Sequence, residues 1–208
     1  MFISFEGPEG SGKTSVIKAI CQFFDENKID YLHTREPGGT PIAEKIRNVV
    51  LDKQNTNLDA RAEALLIAAS RRQHLVEKIW PALAKGQIVL CDRFLDSSLA
   101  YQGSARDIGV DAVLKMNEFA TEGCWPDLTI LFDLRPEVGL ERIAANAARE
   151  VNRLDLEKLS FHTKVRETYL QLAENYPLRY VIINAELPLQ DVIEATKKVI
   201  LTAIENKK

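Results

Sequence analysis

Charge of one sign is not in excess in this chain: 27 lysines and arginines stand against 30 aspartates and glutamates, for a net charge of -3. With a pI near 5.7, the molecule offers no general field for a polyanion. Nucleic acid and anionic membrane are therefore not expected partners, and any phosphate binding has to be local. Cysteine is scarce. Cys21, Cys91 and Cys124 sit in apolar surroundings without metal-ligand spacing, and an odd number of such residues fits reduced core thiols in a cytoplasmic protein. Long hydrophobic runs are missing too. Met1 to Phe5 has no basic start and gives way to glycine and proline, which excludes reading it as a signal peptide or a membrane span. No repeat or low-complexity segment is present, so small-molecule partners are expected.

The 208 residues, 46% hydrophobic and 27% charged, suffice for one globular domain with a full core. Short apolar runs at Phe2 to Phe5, Ile88 to Cys91, Leu128 to Phe132 and Tyr180 to Ile183, with a weaker one at Asp30 to Thr34, read as buried strands. Helical spacing covers Lys13 to Asn27, Thr40 to Leu51, Leu58 to Lys85, Asp96 to Gln102, Val110 to Thr121, Pro136 to Ala148, Leu154 to Asn175 and Leu189 to Asn206. Strands alternating with helices predict an α/β fold with a five-stranded parallel sheet and helices on both faces. The segment 144–154 is rich in alanine, asparagine and arginine. It is a candidate mobile lid, with a solvated helix end as the plain alternative.

Gly7-Pro8-Glu9-Gly10-Ser11-Gly12-Lys13-Thr14 matches G-x-x-x-x-G-K-[ST] between a strand and a helix, the context that a phosphate-binding loop requires. Inward-facing N–H groups and the helix N-terminus favour a polyphosphate. Lys13 is expected to bridge β- and γ-phosphates, and the Thr14 hydroxyl to bind Mg²⁺. The loop leaves the reaction open among motor, switch, kinase and ligase. Asn27-Lys28-Ile29-Asp30 spells a guanine-reading motif, but its place at the end of the first helix makes it a solvated turn.

Asp92 and Arg93 end a buried strand at the edge where doubly wound sheets bind ligands. Asp92 is a candidate for holding Mg²⁺ through water, and Arg93 for clamping an acceptor phosphate; a strand-end salt bridge is the alternative. Glu36 opens a Pro-Gly-Gly turn at the same edge, and Arg47 lies two turns into the next helix. Glu63, Ile67, Arg71 and His74 share one face of the long helix. Ser98 and Gln102 are one turn apart, and an amide is suited to a pyrimidine edge.

Taken together, G-P-E-G-S-G-K-T at 7–14, T-R-E-P-G-G-T at 34–40, A-S-R-R-Q-H at 69–74, D-R-F-L-D-S-S-L-A-Y-Q-G at 92–103, P-D-L-T at 126–129 and N-R-L-D at 152–155 resemble bacterial thymidylate kinases along essentially the whole chain. The resemblance implies a P-loop NTPase-type three-layer fold with a small lid at about 142–155. It also implies transfer of phosphate from Mg-ATP to dTMP, and a homodimer. It places Glu9 near the acceptor's sugar, Arg47 and Arg93 on its phosphate, and Arg71, Ser98 and Gln102 around thymine. Tyr101 would pack on the deoxyribose. Arg142, Arg149 and Arg153 match the lid, with Arg149 or Arg153 favoured as the catalytic arginine and Arg142 nearer adenine; Gly10 marks the lid-arginine type. Two departures stand out: Ile67 replaces a phenylalanine that stacks on thymine, and Phe94 replaces a common tyrosine. Rival readings are another nucleotide or deoxynucleoside kinase, a nucleotide-dependent switch, and a catalytically retired binder.

Overall fold

The computed structural model describes residues 1–145 and 153–207. Strands β1 (Phe2–Glu6), β2 (Tyr31–Arg35), β3 (Ile88–Asp92), β4 (Leu128–Asp133) and β5 (Tyr180–Asn184) follow the expected apolar runs closely. They form one parallel sheet in the order β2-β3-β1-β4-β5. Parallel strands buried on both faces need unbroken apolar sequence, which is why a run of four or five residues was enough to find each.

Alternation along each strand divides the core. Ile3, Phe5, Leu90, Ile130 and Phe132 pack on Val16, Ile17, Ile20 and Phe24 of α1 (Lys13–Glu26) and on Val192 and Ile200 of α9 (Leu189–Asn206). On the opposite face, Leu131 meets Val165, Tyr169 and Leu172 of α8 (Leu159–Asn175) and Val113 of α6 (Val110–Thr121). Phe2, Val89 and Cys91 meet Leu75, Ile79, Phe94 and Leu95 there. This second face also carries fully buried polar side chains on β1, Ser4 and Glu6. Such groups are costly unless hydrogen-bonded, and Glu6 takes up its bonds beneath the site described below.

Three helices differ from the expected spans. The stretch Leu58 to Lys85 divides into α3 (Ala60–His74), a wide π turn at Leu75–Ile79 and α4 (Trp80–Ala84). Pro81 supplies no N–H to an α-helical ladder, and the wider turn just before it absorbs the missing bond. Asp96 to Gln102 becomes α5 (Leu95–Ser98) followed by a π segment, Leu99–Ala105. Leu154 does not begin a helix: Arg153–Leu156 is a 3-10 turn, Lys158 is extended, and α8 starts at Leu159. The remaining helices, α2 (Pro41–Leu51) and α7 (Pro136–Ala145), begin with proline at the first helical position, where its missing N–H has no helical partner. The three cysteines are free thiols, with Cys91 buried.

Candidate active site

Because β1, β3 and β4 are adjacent and parallel, their C-terminal ends open on one edge, with Phe5 opposite Asp92 and Glu6 opposite Leu131. The phosphate-binding loop leaves β1 here and turns into α1. Gly7 has φ +142°, and a Cβ on it would lie 2.5 Å from the Phe132 carbonyl oxygen. Gly10 has φ +76°, and a Cβ there would meet the Gly139 carbonyl oxygen of α7 at 2.3 Å. A Cβ on Gly139 would in turn meet the Glu9 carbonyl oxygen at 2.3 Å. The loop and α7 thus touch backbone to backbone, and this contact leaves no room for a side chain at position 10.

Inside the loop, the buried Lys13 ammonium donates to the Gly7 and Pro8 carbonyls (2.9 and 3.0 Å) and to Ser11 Oγ (3.2 Å). Burial, then the neighbouring Arg93, lowers its pKa to about 8. Thr14 is exposed in the first turn of α1, and Asp92 is half-buried at the end of β3; both line the same cleft. The Asp92 carboxylate makes no direct hydrogen bond or ion pair to the described residues.

That cleft, of about 1160 Å³, runs from Gly10, Ser11, Gly12, Lys13 and Thr14 past Asp92 and Arg93 to Ile67, Arg71, Ser98, Tyr101 and Gln102. Arg93 stands at its centre. The residue adopts a left-handed backbone, φ 69°, which a non-glycine residue keeps only where its surroundings impose it. Glu6 imposes it from below. Its carboxylate accepts from the Phe94 N–H (2.7 Å), Ser97 Oγ (2.6 Å) and the Tyr169 hydroxyl (2.8 Å). Ser97 and Tyr169 in turn accept from Arg93 Nη1 at 3.3 and 3.2 Å. Above, Glu9 Oε1 accepts from Arg93 Nη2 (2.8 Å) and from the Tyr101 hydroxyl (3.0 Å), while the guanidinium lies 5.1 Å from the Tyr101 ring centroid. Burial, then the charge of Asp96, pushes Glu6 up to about 7; Arg93, Ser97 and the Phe94 N–H oppose this. Asp96 is itself held by a bidentate pair with Arg179 at 2.6 and 2.9 Å.

The far end of the cleft is a second buried network. Arg71 donates through Nε to Glu36 (2.7 Å), through Nη1 to Ser98 (2.9 Å) and to Asn117, and through Nη2 to the Phe94 carbonyl (3.0 Å). Four of the five guanidinium hydrogens are thereby used, leaving one for a ligand. His74 Nδ1 lies 3.0 Å from Glu36, and its Nε2 2.6 Å from Thr34 Oγ1. Ile67 is buried on the same helix face and lines the cleft. Phe94 has no exposed surface; its ring packs edge-on to Phe2 and lies 5.2 Å from the Arg71 guanidinium. A tyrosine hydroxyl would have to be accommodated inside that packing. Arg47 donates to the Pro37 carbonyl at 2.8 Å and borders the cleft.

The arginines after α7 separate. Arg142 donates to the Ala185 carbonyl, at 2.8 Å, and lines the cleft beside the loop after β5. Arg149 lies outside the described residues. Arg153 is largely buried, donating to the Val50 carbonyl at 3.0 Å and to Glu63, and does not line the cleft. Glu6, Tyr169 and Asn117 were not singled out in the sequence. For Glu6 there was a signal, an acid ending a strand too apolar to leave it in water; Tyr169 and Asn117 gave none, since each sits on a helix far along the chain.

Comparison with known proteins adds an independent observation. The model of the family described as thymidylate kinase matches residues 5–196. A protein of Clostridium novyi (strain NT) named thymidylate kinase is 59% identical over 196 residues, covering 94% of this chain and 96% of that one. Proteins of the same name from Geobacillus thermodenitrificans and Bacillus cereus are 56% and 54% identical, over 100% and 96% of this chain and 92% and 96% of theirs.

Proposed function

Because this chain belongs to the thymidylate kinase family, phosphotransferases that phosphorylate dTMP, we propose that its cleft transfers the γ-phosphate of Mg-ATP to dTMP directly. The carrying observation is the continuity of that cleft: the phosphate loop with Lys13 lies at one end, the Arg71, Gln102 and Ile67 surface at the other, and Arg93 between them. An acceptor phosphate held by Arg93 and Arg47 is presented toward the γ-phosphate held by Lys13. A phosphate monoester is already a competent nucleophile at neutral pH, so no general base is assigned. Thr14 and Asp92 are hard oxygen donors on the same cleft and suit a Mg²⁺ ion that keeps most of its waters. When bound, the ion would neutralise charge on the β- and γ-phosphates. Tyr101, hydrogen-bonded to Glu9, walls the place of the deoxyribose. Arg71 supplies a donor and Gln102 an amide for the base, with Ile67 packed against its face. An aliphatic side chain forfeits the ring-ring component of stacking, of order ~1 kcal/mol. Residues 142–155 are assigned the lid role, and Arg142 a place near the adenine.

Coupled ADP release from Mg-ATP, with dTMP, dUMP, dCMP and dGMP offered separately, tests this reading. Turnover with dTMP at least roughly tenfold above the others is expected. Equal rates for dTMP and dUMP would mean that the Ile67 surface does not sense the thymine methyl, and no release with any acceptor would overturn the assignment.

We further propose a homodimer acting in the cytoplasm. Its support is apolar surface on three neighbouring helices: Ile42 and Val49 of α2, Leu65 of α3, 60% exposed, and Phe119 of α6, 90% exposed. Among the described residues no helix is long and apolar enough to cross a membrane. Sedimentation at micromolar concentration is expected to give a two-chain mass that falls to one chain in a Leu65→Glu, Phe119→Asp variant; a single-chain mass for the unaltered protein would refute the dimer.

A further inference from the structure

Behind the proposed base pocket, Glu63 has no exposed surface. Its Oε1 accepts from Gln102 Nε2 at 2.7 Å. Its Oε2 accepts from Arg153, and Arg106 Nε lies 3.5 Å away. A carboxylate flanked by two guanidinium groups is an acceptor only, so a glutamine side chain meets it through the amide nitrogen. The two ends of an amide are otherwise alike in shape; here the chemistry of the partner decides which is which. The amide oxygen of Gln102 has no partner among the described residues, yet it is not sealed from solvent, and Gln102 lines the cleft.

We infer that Glu63 is a specificity-determining positioning residue: by holding the Gln102 amide nitrogen it turns the amide oxygen toward the base. The pocket then takes a pyrimidine edge that carries a ring N–H, as thymine and uracil do. Cytosine places an unprotonated nitrogen at that position, and two acceptors facing each other leave both unpaired, a larger penalty than a missing contact. This rests on the reading of Gln102 as a base contact. Arg153 and Arg106 contribute by fixing the orientation of the Glu63 carboxylate. Residues 63, 102, 106 and 153 of the chain thereby act as one device, with Arg153 lying just beyond residues 146–152.

Glu63→Gln tests it, because the direction of the change is dictated. Arg153 and Arg106 are donors and draw the new amide oxygen to their side, which leaves its NH₂ facing Gln102. Gln102 then turns its oxygen to that NH₂ and its own nitrogen to the cleft. The ratio of kcat/KM for dTMP to that for dCMP is expected to fall roughly tenfold to a hundredfold, mainly through KM for dTMP. A folded variant with the wild-type ratio would overturn the inference, whatever its absolute rate. Failure of the wild-type enzyme to prefer dTMP over dCMP would instead strike the base-contact reading. A measurement on the unaltered protein covers the case in which the variant does not fold. In glutamine-labelled enzyme, with the Gln102 signal assigned by its loss in Gln102→Leu, the side-chain NH₂ is expected to be protected from solvent exchange before and after dTMP addition. Free exchange, or an NH₂ signal that becomes protected only when dTMP binds, would show the nitrogen facing the cleft and refute the lock.

Discussion

Lys13→Ala is expected to cut kcat by on the order of 10³-fold or more, with thermal stability at pH 7 unchanged or higher. The first part follows from the role proposed for Lys13: a positive charge beside the transferred phosphate stabilises the charge that develops there. The second follows from linkage. The Lys13 pKa is depressed to about 8, first by burial and then by Arg93. Below that pH the folded protein bears the full penalty of keeping the ammonium charged, and between about 8 and the unfolded value of 10.5 the penalty fades, so stability gains with rising pH there. Alanine removes this dependence, so wild-type and variant melting temperatures are expected to converge as the pH is raised. Quenched-flow kinetics and calorimetric melting from pH 7 to 10 check both parts. Near-normal turnover would remove Lys13 from the mechanism; a large loss of stability at pH 7 would mean that its bonds to Gly7, Pro8 and Ser11 outweigh the burial penalty.

Arg93→Ala is expected to lower kcat/KM for dTMP by on the order of 10²- to 10³-fold, with ATP affinity little changed. Arg93 is the cleft's central cation, positioned from below by Ser97 and Tyr169 and from above by Glu9. Its planar fork suits a phosphate bidentately. Arg93→Lys keeps the charge but not the fork, and is expected to recover only part of the loss. The same neighbours give the Glu6 network its meaning: its acceptors keep the guanidinium where an acceptor phosphate would meet it. Steady-state kinetics with calorimetric ATP binding separates the acceptor from the donor role. A variant that loses ATP binding but keeps KM for dTMP would reassign Arg93 to the donor side.

Legibility tracked the range of the interactions involved. The phosphate loop was readable because its chemistry is backbone chemistry: Gly7, Gly10 and Gly12 permit the positive φ, and Lys13 and Thr14 follow in fixed local order. The five strands were readable because burial on both faces leaves an apolar run. Helix ends were less so. Leu58 to Lys85 has unbroken helical spacing, yet Pro81 is accommodated by widening the preceding turn, an arrangement that periodicity does not distinguish from a straight helix. The helical spacing that begins at Leu154 does not foresee that Arg153 is engaged by Glu63 from α3, 90 positions away, and that the chain makes a 3-10 turn there.

The sequence by itself determined the sheet class, the phosphate loop and the place of Asp92 and Arg93 at the end of a strand, and its ordered blocks carried the family resemblance. These are set by residues that are neighbours in the chain, or by apolar patterning that every buried strand repeats. Tertiary structure alone decided which hydrogen bonds the polar side chains make. Tyr169 reaches Glu6 across 163 positions, Asn117 reaches Arg71 across 46 and Gln102 reaches Glu63 across 39. A buried polar group takes whatever partner the packed chain brings within about 3 Å. That choice fixed the conformation of Arg93 and the orientation of the Gln102 amide, and neither is written in local sequence.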